Sequence, residues 1–391
     1  MTRPFRRHVL YLPGFDPMPP RRYRELYRTG AAEQSQISGH RLQVKPAGAG
    51  RYSWRVEGHV EGHGTEAVVE VALWSDLVQA SMRQGIAGTY GQLLRTCRIY
   101  IGTGTLWRLM KLRRGPVIAA LYPVVVLLGQ LLLALLVAAA AVWAVAEMGG
   151  LLLAALLGAA SGWGVLWLGR RLDRYLYAHY LMHDYAFTAK HRGAYPPALE
   201  ERLLQFRDRL RAIMKDGPDE VLVVGHSSGA YLAVSVVADL LRQSPSGCPA
   251  ISLLTLGQVI PMAAFLPDAD RLRADLSFLG QAEGVFWVDV TAPGDACCFA
   301  LCDPVAVSGA AGPDQRWPLV LSAAFRQTLS EERQAAMRKR WIQLHFQYLG
   351  AFDRPLNYDY FAITAGPLTL AQRFAGRRHS PGRITRPAGA R

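Results

Sequence analysis

The pentapeptide Gly225-His226-Ser227-Ser228-Gly229 brings together residue types suited to nucleophilic chemistry. A serine hydroxyl attacks only when a neighbouring base takes its proton, so what matters is how the chain holds it. Before the pentapeptide, Glu220-Val221-Leu222-Val223-Val224 is short, apolar and β-branched, and after it Ala230 to Leu241 reads as a largely buried helix. A strand turned abruptly into a helix through Gly-x-Ser-x-Gly is a nucleophile elbow. Gly225 and Gly229 belong there because the turn is strained and neighbouring chain passes too close for a Cβ. The serine hydroxyl is thereby lifted clear of the sheet edge.

With this Gly-His-Ser-x-Gly elbow, the chain resembles an α/β-hydrolase, more specifically a lipase-like serine hydrolase, over roughly residues 1–20 and 195–350. The resemblance implies a mainly parallel sheet with flanking helices and a triad in the chain order Ser, acid, His, with the acid in a loop after a later strand. Asp295, in Thr291-Ala292-Pro293-Gly294-Asp295, stands in such a loop. Asp289 is its rival, but it lies inside the strand run Val285–Val290, and Asp303 is more distant. The order leaves His345 and His379 for the base, and His379 sits in a Pro-, Gly- and Arg-rich tail that reads as disordered. His345 is therefore the expected base, with Ser227 as nucleophile and Asp295 as the orienting carboxylate. His226 is set aside, because an elbow neighbour points away from the serine's side. One departure stands against this assignment: Glu331 to Leu349 reads as continuous helix, whereas the fold usually presents its histidine from a loop. Either that helix breaks near Leu344 or His345 is a packed helical histidine.

The first core strand, His8 to Leu12, ends in Pro13-Gly14-Phe15. In lipase-like hydrolases a similar His-Gly-x turn offers its last N–H to the oxyanion, and here the match falls on Phe15, with Pro13 replacing the usual His. The N–H of Ser228, the residue after the nucleophile, is the second expected donor.

These residues must be positioned by a chain that is 51% hydrophobic and only 19% charged, more apolar than an ordinary soluble enzyme. Val117 to Ala146 holds only Gln130 as a strongly polar member, and Leu151 to Leu168 is a second apolar run. A bilayer span needs about 20 residues, so the two runs, joined at Glu147-Met148-Gly149-Gly150, read as an inserted transmembrane helical hairpin. Gly158 and Gly162 form a small-x-x-x-small face suited to close helix approach. Trp107, Trp163 and Trp167 suit interface anchors. Arg108, Lys111, Arg113 and Arg114 precede the hairpin, Arg170, Arg171 and Arg174 follow it, and the turn carries only Glu147. Basic flanks stay cytoplasmic, so both termini and the catalytic part are expected there. The net charge of +14 is thus assigned to an anionic membrane surface, with no nucleic-acid partner.

Elsewhere, residues 41–46, 51–60 and 66–74 alternate as a small antiparallel extension of the sheet, and residues 75–115 read as a basic helical approach. The basic start, Met1 to Arg7, lacks the apolar run of a secretory signal. Arg170 to Arg192 reads as an interfacial helix; its His179 and His183 lack the Glu after the first His that a metalloprotease pattern needs. Ala198 to Lys215 carries Leu199, Leu203, Phe206, Leu210 and Ile213 at helical spacing. Ile251 to Leu256 is a further strand candidate, followed by a helical or lid-like stretch from Val259 to Gln281. The five cysteines, Cys97, Cys248, Cys297, Cys298 and Cys302, form no disulfide framework, and the last three lack the company of a metal set. His59 and His63 read as solvated hairpin histidines.

The chain thus divides into residues 1–115, the first part of an α/β domain; 116–169, the hairpin; 170–370, the main part with the elbow; and 371–391, a basic disordered tail. The expected function is a membrane-anchored serine hydrolase cleaving hydrophobic acyl esters, with the lipid bilayer as partner and neither cofactor nor metal. An acyltransferase or thioesterase on the same residues is one alternative, and an inactive membrane-tethered interaction protein is another.

Overall fold

The computed structural model describes residues 3–47, 52–243, 251–338 and 340–388. Apolar β-branched runs covered on both faces make parallel strands. In chain order the strands are β1 (Phe5–Leu12), β2 (Arg41–Pro46), β3 (Ser53–Val60), β4 (His63–Val71), β5 (Glu220–His226), β6 (Ile251–Leu256), β7 (Val285–Thr291) and β8 (Leu319–Ser322). They form one eight-stranded sheet in the order β2-β3-β4-β1-β5-β6-β7-β8. From β4 through β1 to β8 every neighbour is parallel, whereas β2, β3 and β4 pair antiparallel at one edge. The chain is an α/β protein with a mostly parallel sheet, and the antiparallel extension occupies the segments expected of it.

Every residue of β5 is buried, and its side chains alternate between two cores. Val221 and Val223 meet the helices Pro197–Lys215, Gly229–Arg242 and Asp270–Gln281, while Leu222 and Val224 face Tyr23, Tyr27 and Phe361 on the other side. All five apolar residues spaced along the Pro197–Lys215 helix are buried.

Two helices, Arg114–Ala146 and Gly150–Arg171, are long and apolar enough to cross a membrane. Gly150, at φ +74°, reverses the chain between them, a backbone that favours glycine. They pack closely: a Cβ on Gly162 would lie 3.1 Å from the Ala134 carbonyl oxygen, and one on Gly158 would lie 2.9 Å from that of Ala138. Their apolar side chains point outward, with Leu132 59% and Trp143 83% exposed. Trp107, Trp163 and Trp167 are exposed as well.

Three expectations are corrected. The run from Glu331 to Leu349 is not one helix: it forms Glu331–Met337, then Trp341–His345, then a 3-10 turn at Phe346–Leu349. The Trp341 ring meets Tyr122 on the first apolar helix, a tertiary contact that a local helical pattern does not encode. The tail expected to be disordered is packed as far as residue 388, where Ser380 Oγ accepts from the Ser322 N–H at 2.9 Å and Ile384 pairs with Cys302. Its prolines and glycines prevent helix, yet its backbone finds partners along the β8 edge. Of the segment Arg170 to Arg192, expected as an interfacial helix, the helix Ala178–Lys190 is packed against the protein and buries His179, Met182 and His183. His59 and His63 are exposed on the hairpin. Cys97, Cys297, Cys298 and Cys302 are free thiols, and Cys248 lies outside the described residues.

Candidate active site

At the carboxyl end of β5 the chain makes the expected abrupt turn. Ser227 sits at φ +57°, a left-handed backbone that costs a residue with a Cβ about 1–2 kcal/mol. The strain is held by crowding. A Cβ on Gly225 would lie 2.6 Å from the Gly229 carbonyl oxygen, and one on Gly229 would collide with the Leu12 carbonyl oxygen. The Ser227 N–H donates to the Leu256 carbonyl at 2.9 Å, which ties the turn to β6. Gly14 lies directly over the serine: a Cβ there would come within 3.0 Å of the Ser227 Cβ.

His345 is the last residue of the short helix Trp341–His345, so the break in the long helical pattern is what frees its ring. Its Nδ1 lies 2.7 Å from Asp295 Oδ2. The carboxylate fixes the proton on Nδ1, which leaves Nε2 as the basic nitrogen. That Nε2 has no hydrogen-bond partner among the described residues, and His345 and Ser227 line one cavity. Burial by itself raises the Asp295 carboxyl, but the facing His345 and the Cys297 N–H outweigh it and hold the group below its ordinary value.

Two further residues support this pair. The Tyr348 hydroxyl donates to Asp295 Oδ2 at 3.0 Å and accepts from the Ala292 N–H at 2.9 Å. His226, set aside from the sequence as a base, donates from Nε2 to the His345 carbonyl oxygen at 2.9 Å. Burial and the neighbouring His345 push its pKa down to about 3, so it is a neutral donor that anchors the His345 turn to the end of β5. The position of Tyr348 one helical turn after His345 was its only signal in the sequence.

The Pro13-Gly14-Phe15 turn is clamped above the cavity by Trp74, whose indole N–H donates to the Pro13 carbonyl at 2.9 Å, and by the Tyr180 hydroxyl, which donates to the Phe15 carbonyl. The Phe15 N–H is engaged by Ser228 Oγ at 2.7 Å. For it to meet an oxyanion, the Ser228 side chain must rotate away.

The cavity encloses about 930 Å³ of unfilled space, part of it continuous with solvent. Asp16 and Asp184 add carboxylates to its wall. Asp16 is satisfied by the Tyr23 hydroxyl at 2.7 Å and the Met18 N–H at 2.9 Å. Asp184, on the Ala178–Lys190 helix, faces the cavity, and burial, only partly offset by His345, pushes its pKa up to about 7. Nothing local in the sequence marks Asp184, because only tertiary packing brings it to the cavity that Ser227 lines.

The rival acids lie elsewhere. Asp289 is fully buried in β7, accepts from Thr255 Oγ1 at 2.6 Å, and is pushed up to about 8 by burial. Asp303 caps a short helix through the Val305 and Ala306 N–H groups and pairs with Arg383. His379 accepts from the Val320 N–H at 3.1 Å, at the edge of the sheet. Compared with protein-family models, curated proteins and solved structures, the chain matches none. Function must therefore be read from the geometry of the site.

Metal-type donors do cluster there, since ligand atoms of Asp295, Cys297 and His345 lie within 4.8 Å of one another. Burial, together with Asp295, pushes the Cys297 thiol well above its ordinary value, and the Asp295 carboxylate is already engaged by three donors. A protonated thiol and a spent carboxylate suit a hydrogen-bonded shell better than a cation.

Proposed function

We propose that the chain is a membrane-anchored serine hydrolase that cleaves carboxylic esters with hydrophobic acyl groups through an acyl-enzyme. The observation that carries this reading is the Asp295–His345 hydrogen bond together with a left-handed Ser227, with Ser227 and His345 lining one cavity. His345 Nε2 takes the Ser227 proton as Oγ bonds to the ester carbonyl carbon. The carbonyl oxygen then carries the negative charge, for which the N–H groups of Ser228 and Phe15 are the donors, the latter once the Ser228 hydroxyl has turned aside. Collapse breaks the bond to the leaving alkoxide, which receives the proton from His345. Water, deprotonated by the same nitrogen, attacks the acyl-enzyme and releases the acid and free Ser227. Asp295 holds the ring and stabilises the imidazolium throughout.

The two outward-facing apolar helices are read as a bilayer anchor, and their basic flanks support a cytoplasmic side for the soluble parts. Holding the site at a membrane favours esters that reside there.

The test is fluorophosphonate labelling of the detergent-solubilised protein. The wild type should be labelled, Ser227→Ala should not, and His345→Ala should be labelled far more slowly. A folded wild type that is never labelled would sink the proposal.

A further inference from the structure

Beside the catalytic cavity lies a second one, and Tyr100, Pro116, Tyr185 and Met262 line both. About 580 Å³ of unfilled space, part of it continuous with solvent, lies there between the Ile86–Gly102 helix and the first turns of the Arg114–Ala146 helix. The two differ in character. The catalytic cavity carries Asp16 and Asp184, whereas the second is walled by groups such as Leu109, Val117, Ala120 and Val124, with no charged residue. The hydroxyl of Tyr100, one of the residues that line both cavities, is spent on the Met262 carbonyl at 3.1 Å. Toward the outside, Ile101 and Leu121 are 51% and 38% exposed, at the level where the outward-facing apolar surface of the first long helix begins.

We infer that this apolar groove holds the acyl chain of a membrane-borne ester, which slides sideways out of the lipid between the two helices while its carbonyl reaches Ser227. The inference rests on the serine-hydrolase reading. Three features of the groove select an acyl chain as occupant: continuity with the catalytic cavity, the lack of charge, and an outer end beside an apolar helix that faces outward. The polar leaving group then stays on the Asp16 and Asp184 side, so the junction divides the substrate at its ester bond.

Alkyl fluorophosphonates with ethyl and dodecyl chains test this. Each methylene seated in the groove should speed labelling by about fourfold, so the dodecyl reagent should label the wild type at least about tenfold faster than the ethyl one. Ala120→Trp fills the groove and should erase that preference, bringing the dodecyl rate down to the ethyl one, and an unshifted melting midpoint reports a folded protein. Val124→Trp should behave the same way. No chain-length preference in the wild type, or one untouched by both tryptophans, overturns the inference and leaves the hydrolase reading standing. Labelling by neither reagent overturns the hydrolase reading, and the groove assignment with it. Should both variants misfold, a dodecyl reagent with a mid-chain diazirine, attached to wild-type Ser227, decides: adducts on Ile86–Gly102 and Arg114–Ala146 support the groove, and adducts elsewhere overturn it.

Discussion

At the amino end of β5, Glu220 is buried and accepts from Ser252 Oγ at 2.6 Å and the Leu370 N–H at 2.6 Å, besides its ion pair with Arg7. Arg7 also donates to the carbonyls of Gly366 and Leu368. At the carboxyl end of the same strand, Asp295 is just as buried and just as well bonded, but the chain of hydrogen bonds stops at His345 Nε2, which has no partner among the described residues. Ser227, which lines the same cavity, holds a strained backbone, and Asp184 faces that cavity too. Buried charge alone does not separate the two regions. A network closed on itself stabilises the sheet, whereas one left open toward a cavity retains a basic nitrogen with which to act.

Substitutions at the two ends should therefore have opposite signatures. Ser227→Ala should lower ester turnover by roughly 10⁵-fold or more with no fall in thermal midpoint, as measured by hydrolysis rate and a melting curve. Asp295→Asn should cost about 10⁴-fold by disturbing the His345 tautomer. It should also change the acid response. A carboxyl depressed by folding contributes stability that is present above its unfolded pKa of about 4 and lost as pH falls through the folded value. The gap in melting temperature between wild type and Asp295→Asn should therefore close on acidification.

At the other end, Arg7→Met leaves the buried Glu220 carboxylate without its cation and should cost about 3–5 kcal/mol of stability. Turnover per folded molecule should be unchanged, and a large fall in it would break the comparison. Asp184→Asn sharpens the contrast through pH. With its pKa raised to about 7, Asp184 contributes stability below about pH 4 that is lost as pH rises through 7. The asparagine variant should lack that loss and melt a few degrees higher than wild type above pH 7, but not in acid. The smallest effect is expected of Ser227→Gly, which relieves the left-handed backbone and should gain about 1 kcal/mol in a denaturant titration.

The sequence by itself determined what depends on near neighbours. Glycines around Ser227 between a β-branched run and an apolar helix make a strained turn, because strand, turn and helix are set within a few residues. The lengths of the two apolar helices, the antiparallel edge and the buried stripe of Pro197–Lys215 follow from local periodicity in the same way. The chain order that the resemblance to α/β-hydrolases implies pointed to Asp295 and His345 as well.

Only the tertiary structure decided how those residues meet. The hydrogen bond between Asp295 and His345 spans 50 positions, and that from His226 to the His345 carbonyl spans 119. Local composition favours continuous helix from Glu331 to Leu349, but Trp341 against Tyr122 and His345 against Asp295 are contacts that the broken helix makes. The tail of residues 371–391 reads as disordered because it is rich in Pro, Gly and Arg, yet as far as residue 388 it pairs with the edge of β8 and with Leu301. Asp184 and the apolar groove likewise come from helices distant in sequence that happen to face one cavity. Propensity acts over a few residues, whereas a buried donor takes whichever acceptor the packed chain brings within reach.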